Sequence, residues 1–286
     1  MLTFSLILAH AKINLGLFVT ERRPDGYHNI ETLFHRIALA DRISLEPGAS
    51  IVVKTDHPAV PSGEENICHK AALLLQSELN VSAGVTITIQ KKIPVGAGLG
   101  GGSTDAASML MELPGFWRKT VDRQRLQAIA LRLGSDVPFF LGSGSALARG
   151  RGEILEYFDL DIPYALLLCY PNIHVSTPWA YRQITPSGSG TVRDLRAIVA
   201  AGMRDPSTLM KELRNDFEPA VFDAHPQVRQ VKDSMTSGGA LFASMSGSGS
   251  AVYGLFSSVA AAEPVAEHFK HQGYATSVTP PHFRVR

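Results

Sequence analysis

Pro94-Val-Gly-Ala-Gly-Leu-Gly-Gly-Gly-Ser-Thr-Asp-Ala-Ala107 reads as a glycine-rich loop running into a helix. Ahead of it, Val85, Ile87 and Ile89 alternate with Thr86, Thr88 and Gln90, the period of a half-buried strand. Behind it, Ala106-Ala-Ser-Met-Leu-Met111 is compatible with a helix throughout. Five glycines within seven residues (Gly96, Gly98, Gly100, Gly101 and Gly102) let a backbone approach a ligand with no Cβ in the way. Amide N–H groups and the positive end of a helix dipole then favour an anion, a polyphosphate above all.

Other glycine loops fit less well. Gly96-Ala-Gly98-Leu-Gly100-Gly101 satisfies G-x-G-x-x-G, but a dinucleotide site wants an acid ending a strand about 20 residues on. Here that region is Leu113-Pro-Gly-Phe-Trp-Arg-Lys-Thr-Val-Asp122, which is no buried strand. No Lys-Ser or Lys-Thr follows the glycines, so the P-loop pattern fails. Neither H-R-D nor D-F-G occurs, which excludes a protein kinase. A ligand-free turn is the plain alternative, although one or two glycines suffice for a turn.

The chain of 286 residues is long enough for one large domain or two modest ones. A net charge of +1 gives no electrostatic footprint for nucleic acid or an anionic membrane. No apolar run reaches bilayer length, and Met1–Leu8 lacks a basic leader region, so it reads as a first strand. Cys68 and Cys169 stand far apart and are expected to stay reduced, in keeping with a cytoplasmic location. No His or Cys spacing suggests a metal site; His268 and His271 lie on a C-terminal helix without a third ligand.

Helical spacing runs through Glu64–Leu79 and Arg125–Leu133, and Ser145–Phe158 reads as extended. A second half begins near Asp161 with the strand Tyr164-Ala-Leu-Leu-Leu-Cys-Tyr170. Thr185-Pro-Ser-Gly-Ser-Gly-Thr191 reads as a surface loop, followed by helical patterns at 192–201 and 206–213. Ser246-Gly-Ser-Gly-Ser250 is a second glycine turn, leading into the strand 251–256.

Single residues carry two readings each. Lys12, beside Asn14 in an apolar stretch, is a solvated lysine by default or a buried functional one. Asp136 follows a helix and a glycine and precedes Pro138, as a turn or cap aspartate does. Arg23-Pro-Asp-Gly marks a hairpin turn, with Tyr27 and His28 just beyond it. Asn66 reads as a helix cap, and Lys91 and Lys92, just ahead of the loop, as exposed edge-strand lysines or, as the weaker reading, as lysines approaching a nucleotide.

Three segments follow one another along the chain: Ala11-Lys-Ile-Asn-Leu15, the 94–107 loop, and Met245-Ser-Gly-Ser-Gly-Ser250. In this order they resemble the GHMP kinases, the central one being similar to that family's P-x-x-x-G-L-G-S-S-A-A signature. Arg23-Pro-Asp-Gly-Tyr-His28, Gly134-Ser-Asp-Val-Pro-Phe139 and Val175-Ser-Thr-Pro-Trp-Ala-Tyr181 narrow the resemblance. They look like the branch acting on a cytidine diphosphate-linked methylerythritol. The fold this implies is α+β and two-lobed. It pairs an N-terminal ATP-binding lobe of the ribosomal protein S5 domain 2-like type (residues 1–160) with a ferredoxin-like C-terminal lobe (residues 161–286).

The resemblance also implies ATP and Mg²⁺, with phosphorylation of a 2-hydroxyl in non-mevalonate isoprenoid synthesis. Lys12 and Asp136 become the catalytic pair: Asp136 accepts the proton that a tertiary alcohol holds tightly, and Lys12 offsets developing charge. Pro94, Gly96, Gly98, Leu99, Gly100, Gly101, Gly102, Ser103 and Thr104 fall on the nucleotide, with Asn66 near the adenine. Tyr27 and Tyr181 match the two aromatics that sandwich the cytosine, Tyr181 standing where relatives carry Phe. His28 matches the residue that hydrogen-bonds the base, and Asn14 and Thr177 face the remainder of the substrate. The sequence singles out no protein ligand for the metal. The chain is expected to act as a monomer or homodimer on a small molecule, without nucleic acid or membrane. The alternatives are a GHMP kinase of homoserine or mevalonate type and a non-catalytic RNA-binding domain. Tyr27-His28 argue against the first, since those substrates carry no base, and the net charge of +1 argues against the second.

Overall fold

The computed structural model describes residues 6–186 and 193–285, so most of the glycine–serine stretch expected as a surface loop lies outside the described residues. Two long strands open the chain, β1 (Ile7–Arg22) and β2 (His28–Gly48). The Pro-Asp-Gly turn joins them as expected: Arg23 N donates to Tyr27 O at 2.8 Å, and Gly26 takes φ +84°. The backbone divides into two compact units, and both strands pass from one into the other.

The first unit takes the chain up to Ala11, Ala40–Val95 and Gly100–Ser143. Strand β3 (Ile51–Thr55) leads through helix α1 (Ile67–Leu79) to β4 (Gly84–Gln90), which pairs parallel with β3 and antiparallel with the end of β2. The alternation read from the sequence holds: Val85, Ile87 and Ile89 are buried and Thr86 and Thr88 half-buried. Asn66 caps α1, its side chain accepting from Cys68 N. Three helices follow, α2 (Gly101–Phe116), α3 (Arg123–Leu133) and α4 (Val137–Phe140). Helix α2 packs on α1, α3 and α4, and every residue from Thr104 to Leu110 is buried. Small residues make that possible, because Ala106, Ala107 and Ser108 let neighbouring helices approach on several sides at once.

The second unit takes Lys12–Leu39, Gly96–Leu99 and Gly144–Arg286. Strand β5 (Ser145–Arg149) pairs with the start of β2 and with β6 (Ile154–Phe158). Beyond them come β7 (Ala165–Tyr170), the helices α5 (Thr177–Arg182), α6 (Leu195–Gly202), α7 (Ser207–Glu212), α8 (Glu218–Ala224) and α9 (Pro226–Ser237), and the strands β8 (Phe242–Met245) and β9 (Val252–Phe256). Helix α10 (Val259–His271) and strand β10 (Ala275–Thr279) complete it.

The second sheet has the order β10-β7-β9-β8, antiparallel throughout. Strand, helices, strand, strand, helix, strand in that spatial order is the ferredoxin-like arrangement. Its core draws on Leu17 and Val19 of β1, Leu167 and Cys169 of β7, Phe217 and Phe222 around α8, and Phe269 of α10. Both thiols are buried and neither forms a disulfide; burial pushes Cys169 up to about 12, and Cys68 is also raised, by burial and then by Asp105. No described helix is long and apolar enough to cross a membrane.

Leu167 is wholly buried at the middle of β7. Leu167→Ala should lower the unfolding free energy by about 2–5 kcal/mol, measured by urea denaturation. A loss below about 1 kcal/mol would mean that the sheet is not the packed centre of this unit.

Candidate active site

Residues 12–15, Gly96–Leu99 of the glycine loop and residues 245–250 meet inside the second unit. Lys12 is 4% exposed, and its Nζ donates to Asn14 Oδ1 at 2.8 Å and to Gly98 O at 3.2 Å. The ammonium lies 4.9 Å from the centre of the Phe34 ring, close enough for a cation–π contact. A solvated surface lysine is thereby excluded. Asn14 Nδ2 donates to Thr32 Oγ1 at 3.0 Å, so this amide is engaged at both ends. Ser246 Oγ donates to Gly98 O at 3.0 Å and accepts from Asn14 N at 3.3 Å, which closes the ring of contacts. Backbone bonds from Lys12 N to Leu99 O and from Ala251 N to Ala97 O add two further ties.

Glycines make this convergence possible. Gly98 has φ +80°, and a Cβ there would stand 2.1 Å from Ser246 O. A Cβ at Gly96, with φ +67°, would stand 2.2 Å from His174 Nδ1. These two glycines are required by the protein's own packing, where the sequence suggested freedom to approach a ligand. Gly102 is different: it is exposed, and a Cβ there would meet only Ile67, at an ordinary 3.7 Å.

The second loop is braced from beneath. Asn215 Nδ2 donates to Met245 O and Gly247 O, both at 2.8 Å. Glu218 Oε1 accepts from Met245 N and Ser244 Oγ at 2.9 Å, while Lys232 Nζ donates to Glu218 Oε2 at 2.6 Å. Thr177 and Ser248 share a hydroxyl–hydroxyl bond of 2.8 Å. Asn215 and Glu218 carried no motif in the sequence; a polar residue beside the buried Phe217 was the only hint.

The aromatic residues form a cluster in the same unit. His28 stacks on Tyr181 with ring centres 5.0 Å apart and planes 19° apart, and Phe217 meets Tyr181 edge-on at 4.9 Å. Tyr27 is 55% exposed, with the Arg151 guanidinium 4.8 Å from its ring centre. Burial, and then the charge of Arg22, hold His28 below its ordinary pKa, so the imidazole is neutral at pH 7 and offers one donor and one acceptor.

In the first unit, Gly100 precedes α2 in the left-handed conformation at φ +69°. No side chain caps the helix, and no acidic residue occupies its first turn. Its leading N–H groups therefore suit an anion. Thr104 is buried and Ser103 half-buried. Asn66 is occupied at both ends, accepting from Cys68 N at 2.8 Å and donating to Pro61 O at 2.6 Å. Asp136 stands at the head of α4, half-buried, and its carboxylate makes no cap bond to that helix. Lys91 is a correction: expected at an exposed edge, it is buried in an ion pair with Asp41 and a second one with Asp105 at 2.8 Å. The spacing of Asp41, Lys91 and Asp105 along the chain gave no sign of this. Among the described residues no group of three His, Cys, Asp or Glu could hold a metal ion.

Residues 66–144 match the GHMP kinases N terminal domain, and residues 194–275 match GHMP kinases C terminal. The chain is 42% identical over 279 residues to the 4-diphosphocytidyl-2-C-methyl-D-erythritol kinase of Chlorobium limicola, covering 97% of each. It is 41% identical to the enzyme of the same name from Salinibacter ruber, covering 95% of this chain and 97% of that one. A crystal structure of 4-(cytidine 5'-diphospho)-2C-methyl-D-erythritol kinase superposes with TM-score 0.81 at 37% identity, covering 98% of this chain and all of the other. Homoserine kinase from Cytophaga hutchinsonii shares the fold, with TM-score 0.68 at 22% identity over 99% and 98% of the two chains.

Gly98→Ala and Gly102→Ala should separate the two uses of glycine. The first strains a left-handed backbone, at about 1–3 kcal/mol before any clash with Ser246, and should lower the thermal midpoint. Gly102→Ala, on a helix with open space around it, should leave the midpoint unchanged or raise it slightly. Equal midpoints for the two variants would contradict the packing role given to Gly98.

Proposed function

Because this chain belongs to the 4-diphosphocytidyl-2-C-methyl-D-erythritol kinases, a branch of the GHMP kinases, we propose that it uses ATP to phosphorylate the 2-hydroxyl of 4-diphosphocytidyl-2-C-methyl-D-erythritol. This is a step of non-mevalonate isoprenoid precursor synthesis. The observation that carries the reading is the burial of the Lys12 ammonium, fixed by Asn14 and by a carbonyl of the glycine loop itself. A buried cation beside a loop of this kind is expected where phosphoryl transfer needs alignment and charge stabilisation more than covalent help.

Asp136 accepts the proton of the 2-hydroxyl as that oxygen attacks the γ-phosphorus. The oxygen–phosphorus bond to ADP breaks, and ADP leaves with the electron pair. Lys12 offsets negative charge on the transferring group. Two facts support these roles: Asp136 stands half-buried at the head of α4, and Lys12 is not solvated. The uncapped start of α2 fits the triphosphate, with the backbone of Gly100, Gly101, Gly102 and Ser103 as donors. Bound together with ATP, Mg²⁺ would supply charge neutralisation for the triphosphate tail; no protein ligand is assigned to it.

Tyr27, His28 and Tyr181 take the cytosine. The exposed ring of Tyr27 supplies a stacking face, and the neutral His28 a donor and an acceptor for the base edge. In the structure the His28 ring covers one face of Tyr181, so sandwiching the base between Tyr27 and Tyr181 requires His28 to turn toward the base edge. Thr177, bonded to Ser248, faces the diphosphate or methylerythritol. Asn14 serves the substrate through Lys12, whose ammonium it holds.

The test is turnover of the purified protein with ATP and the cytidyl substrate, followed by ADP release and phosphorus NMR of the product. Lys12→Ala and Asp136→Asn should each lower kcat by about 10²-fold or more; Asp136→Asn should keep the thermal midpoint within a few degrees, whereas Lys12→Ala, which strips Asn14 Oδ1 and Gly98 O of a buried donor, should lower it. Homoserine and mevalonate should not be turned over. Turnover of either of these, with none of the cytidyl compound, would overturn the reading; full activity of Asp136→Asn would overturn the role of that carboxylate.

A further inference from the structure

Directly after β4, the Lys91 side chain turns into the first unit and is only 4% exposed. It meets two carboxylates, Asp41 Oδ2 from β2 and Asp105 Oδ2 from the second turn of α2. Asp41 is well supplied, because Lys92 N and Ile93 N also donate to its Oδ1, at 2.6 and 2.8 Å. Asp105 is not: among the described residues Lys91 is its single cationic donor, its carboxyl also lies within hydrogen-bond reach of the Asp41 carboxyl, and Oδ1 is buried with no hydrogen-bond partner. Two carboxylates and one ammonium leave one uncompensated negative charge out of water, which a buried site tolerates poorly. With three donors on Asp41 and one on Asp105, Asp105 is the group that takes a proton.

The cluster also touches the helix start. A Cβ at Gly101 would lie 3.0 Å from Ile93 and 3.4 Å from Lys91 Nζ, so this ammonium sits under the first residue of α2. We propose that the buried Asp41–Lys91–Asp105 triad is a positioning and charge-setting device for ATP, in which Asp105 decides whether the ground beneath the start of α2 is neutral or negative. Protonated, Asp105 leaves a neutral triad and an unopposed helix dipole for the triphosphate. Ionised, it places a net negative charge within two turns of the anion's seat and weakens the nucleotide's hold. This rests on the reading that the glycine loop and α2 bind ATP.

Burial, opposed by Lys91 and reinforced by Asp41, pushes the Asp105 carboxyl up to about 8. The groups facing it are Lys91 after β4 and Asp41 on β2, and Cys68 on α1 lies within range of its charge. The four residues of α4 carry no ionisable group, and Arg123, Arg125 and Arg132 of α3 are exposed. Because the folded pKa is raised, the protonated form contributes stability that is present below about 4, the ordinary carboxyl value, and is lost as pH climbs through about 8.

Calorimetric titration of a non-hydrolysable ATP analogue with Mg²⁺, across a pH range on either side of about 8, tests the proposal on the intact protein. The wild-type dissociation constant should rise severalfold, on the order of tenfold, as pH passes through about 8. In Asp105→Asn the rise should vanish, with affinity held near the low-pH wild-type value. KM for the cytidyl substrate should follow the same pH course in both proteins. Wild type should also lose stability relative to Asp105→Asn between about pH 4 and 8. A purely structural triad would change stability without moving the ATP curve, and that outcome overturns the proposal. A flat wild-type curve does the same and needs no variant to fold. Failure to bind the analogue at any pH would overturn the kinase reading first, and this proposal with it.

Discussion

A buried ammonium has to be met by oxygen, and Lys12 sits in a strand where nearly every neighbour is apolar. Ala11, Ile13 and Leu15 are all wholly buried around it. Burying such a charge unpaired would cost several kcal/mol, so the acceptors have to be brought to it. Asn14 Oδ1 comes from the same strand and Gly98 O from the glycine loop. Ser246 then shares that carbonyl, and the second loop is drawn in. The contact explains why three segments far apart in the chain fold against one another. It also explains why Asn14, Thr32 and Tyr253, none of them reacting groups, are buried and hydrogen-bonded around the same point.

Close approach of two loops is the second constraint, and it redefines what the glycines do. A loop that delivers backbone carbonyls and amides to a shared point has no room for side chains, so Gly98 lies against Ser246 and Gly96 against His174. Gly100 turns the chain left-handed into α2, and Gly101 clears space for Ile93 and Lys91. Only after these demands are met does Gly102 remain open to a ligand. The density of glycine thus reflects two requirements laid over one another: internal packing of the loop and exposure of its amides. Asn215 and Glu218 serve the first requirement, since they satisfy backbone groups that a ligand cannot reach.

Charge is distributed by the same logic. In the function proposed, a cation next to the glycine loop, a capless helix start and a neutral imidazole near the exposed tyrosine are the groups offered, in turn, to a transferring phosphoryl group, a triphosphate and a pyrimidine. Burial makes these groups effective, because water no longer screens them and their geometry is held. The Asp41–Lys91–Asp105 cluster extends this beneath α2, where nothing in the reaction itself requires charge.

Much of the fold was legible in the sequence: the alternation before the loop, the helical spacing of α1 and α3, the Pro-Asp-Gly hairpin and the buried run of β7 all report local periodicity, which is encoded locally. The three motifs were equally visible, because each is a run of neighbouring residues, and the roles proposed for the lysine, aspartate and aromatic residues rest on those same runs. Partners separated by tens of residues were not. Lys91 resembled an exposed edge lysine because neither Asp41 nor Asp105 is near it in the strand's own pattern, and only the packing of α2 on the sheet buries all three. Asn66 resembled a cap and is one, since a cap is settled within three residues. The amino-acid order alone therefore determined the elements, their family and the chemistry they can support. The tertiary structure alone decided which charges lose their water, because desolvation depends on what the rest of the chain places around a group.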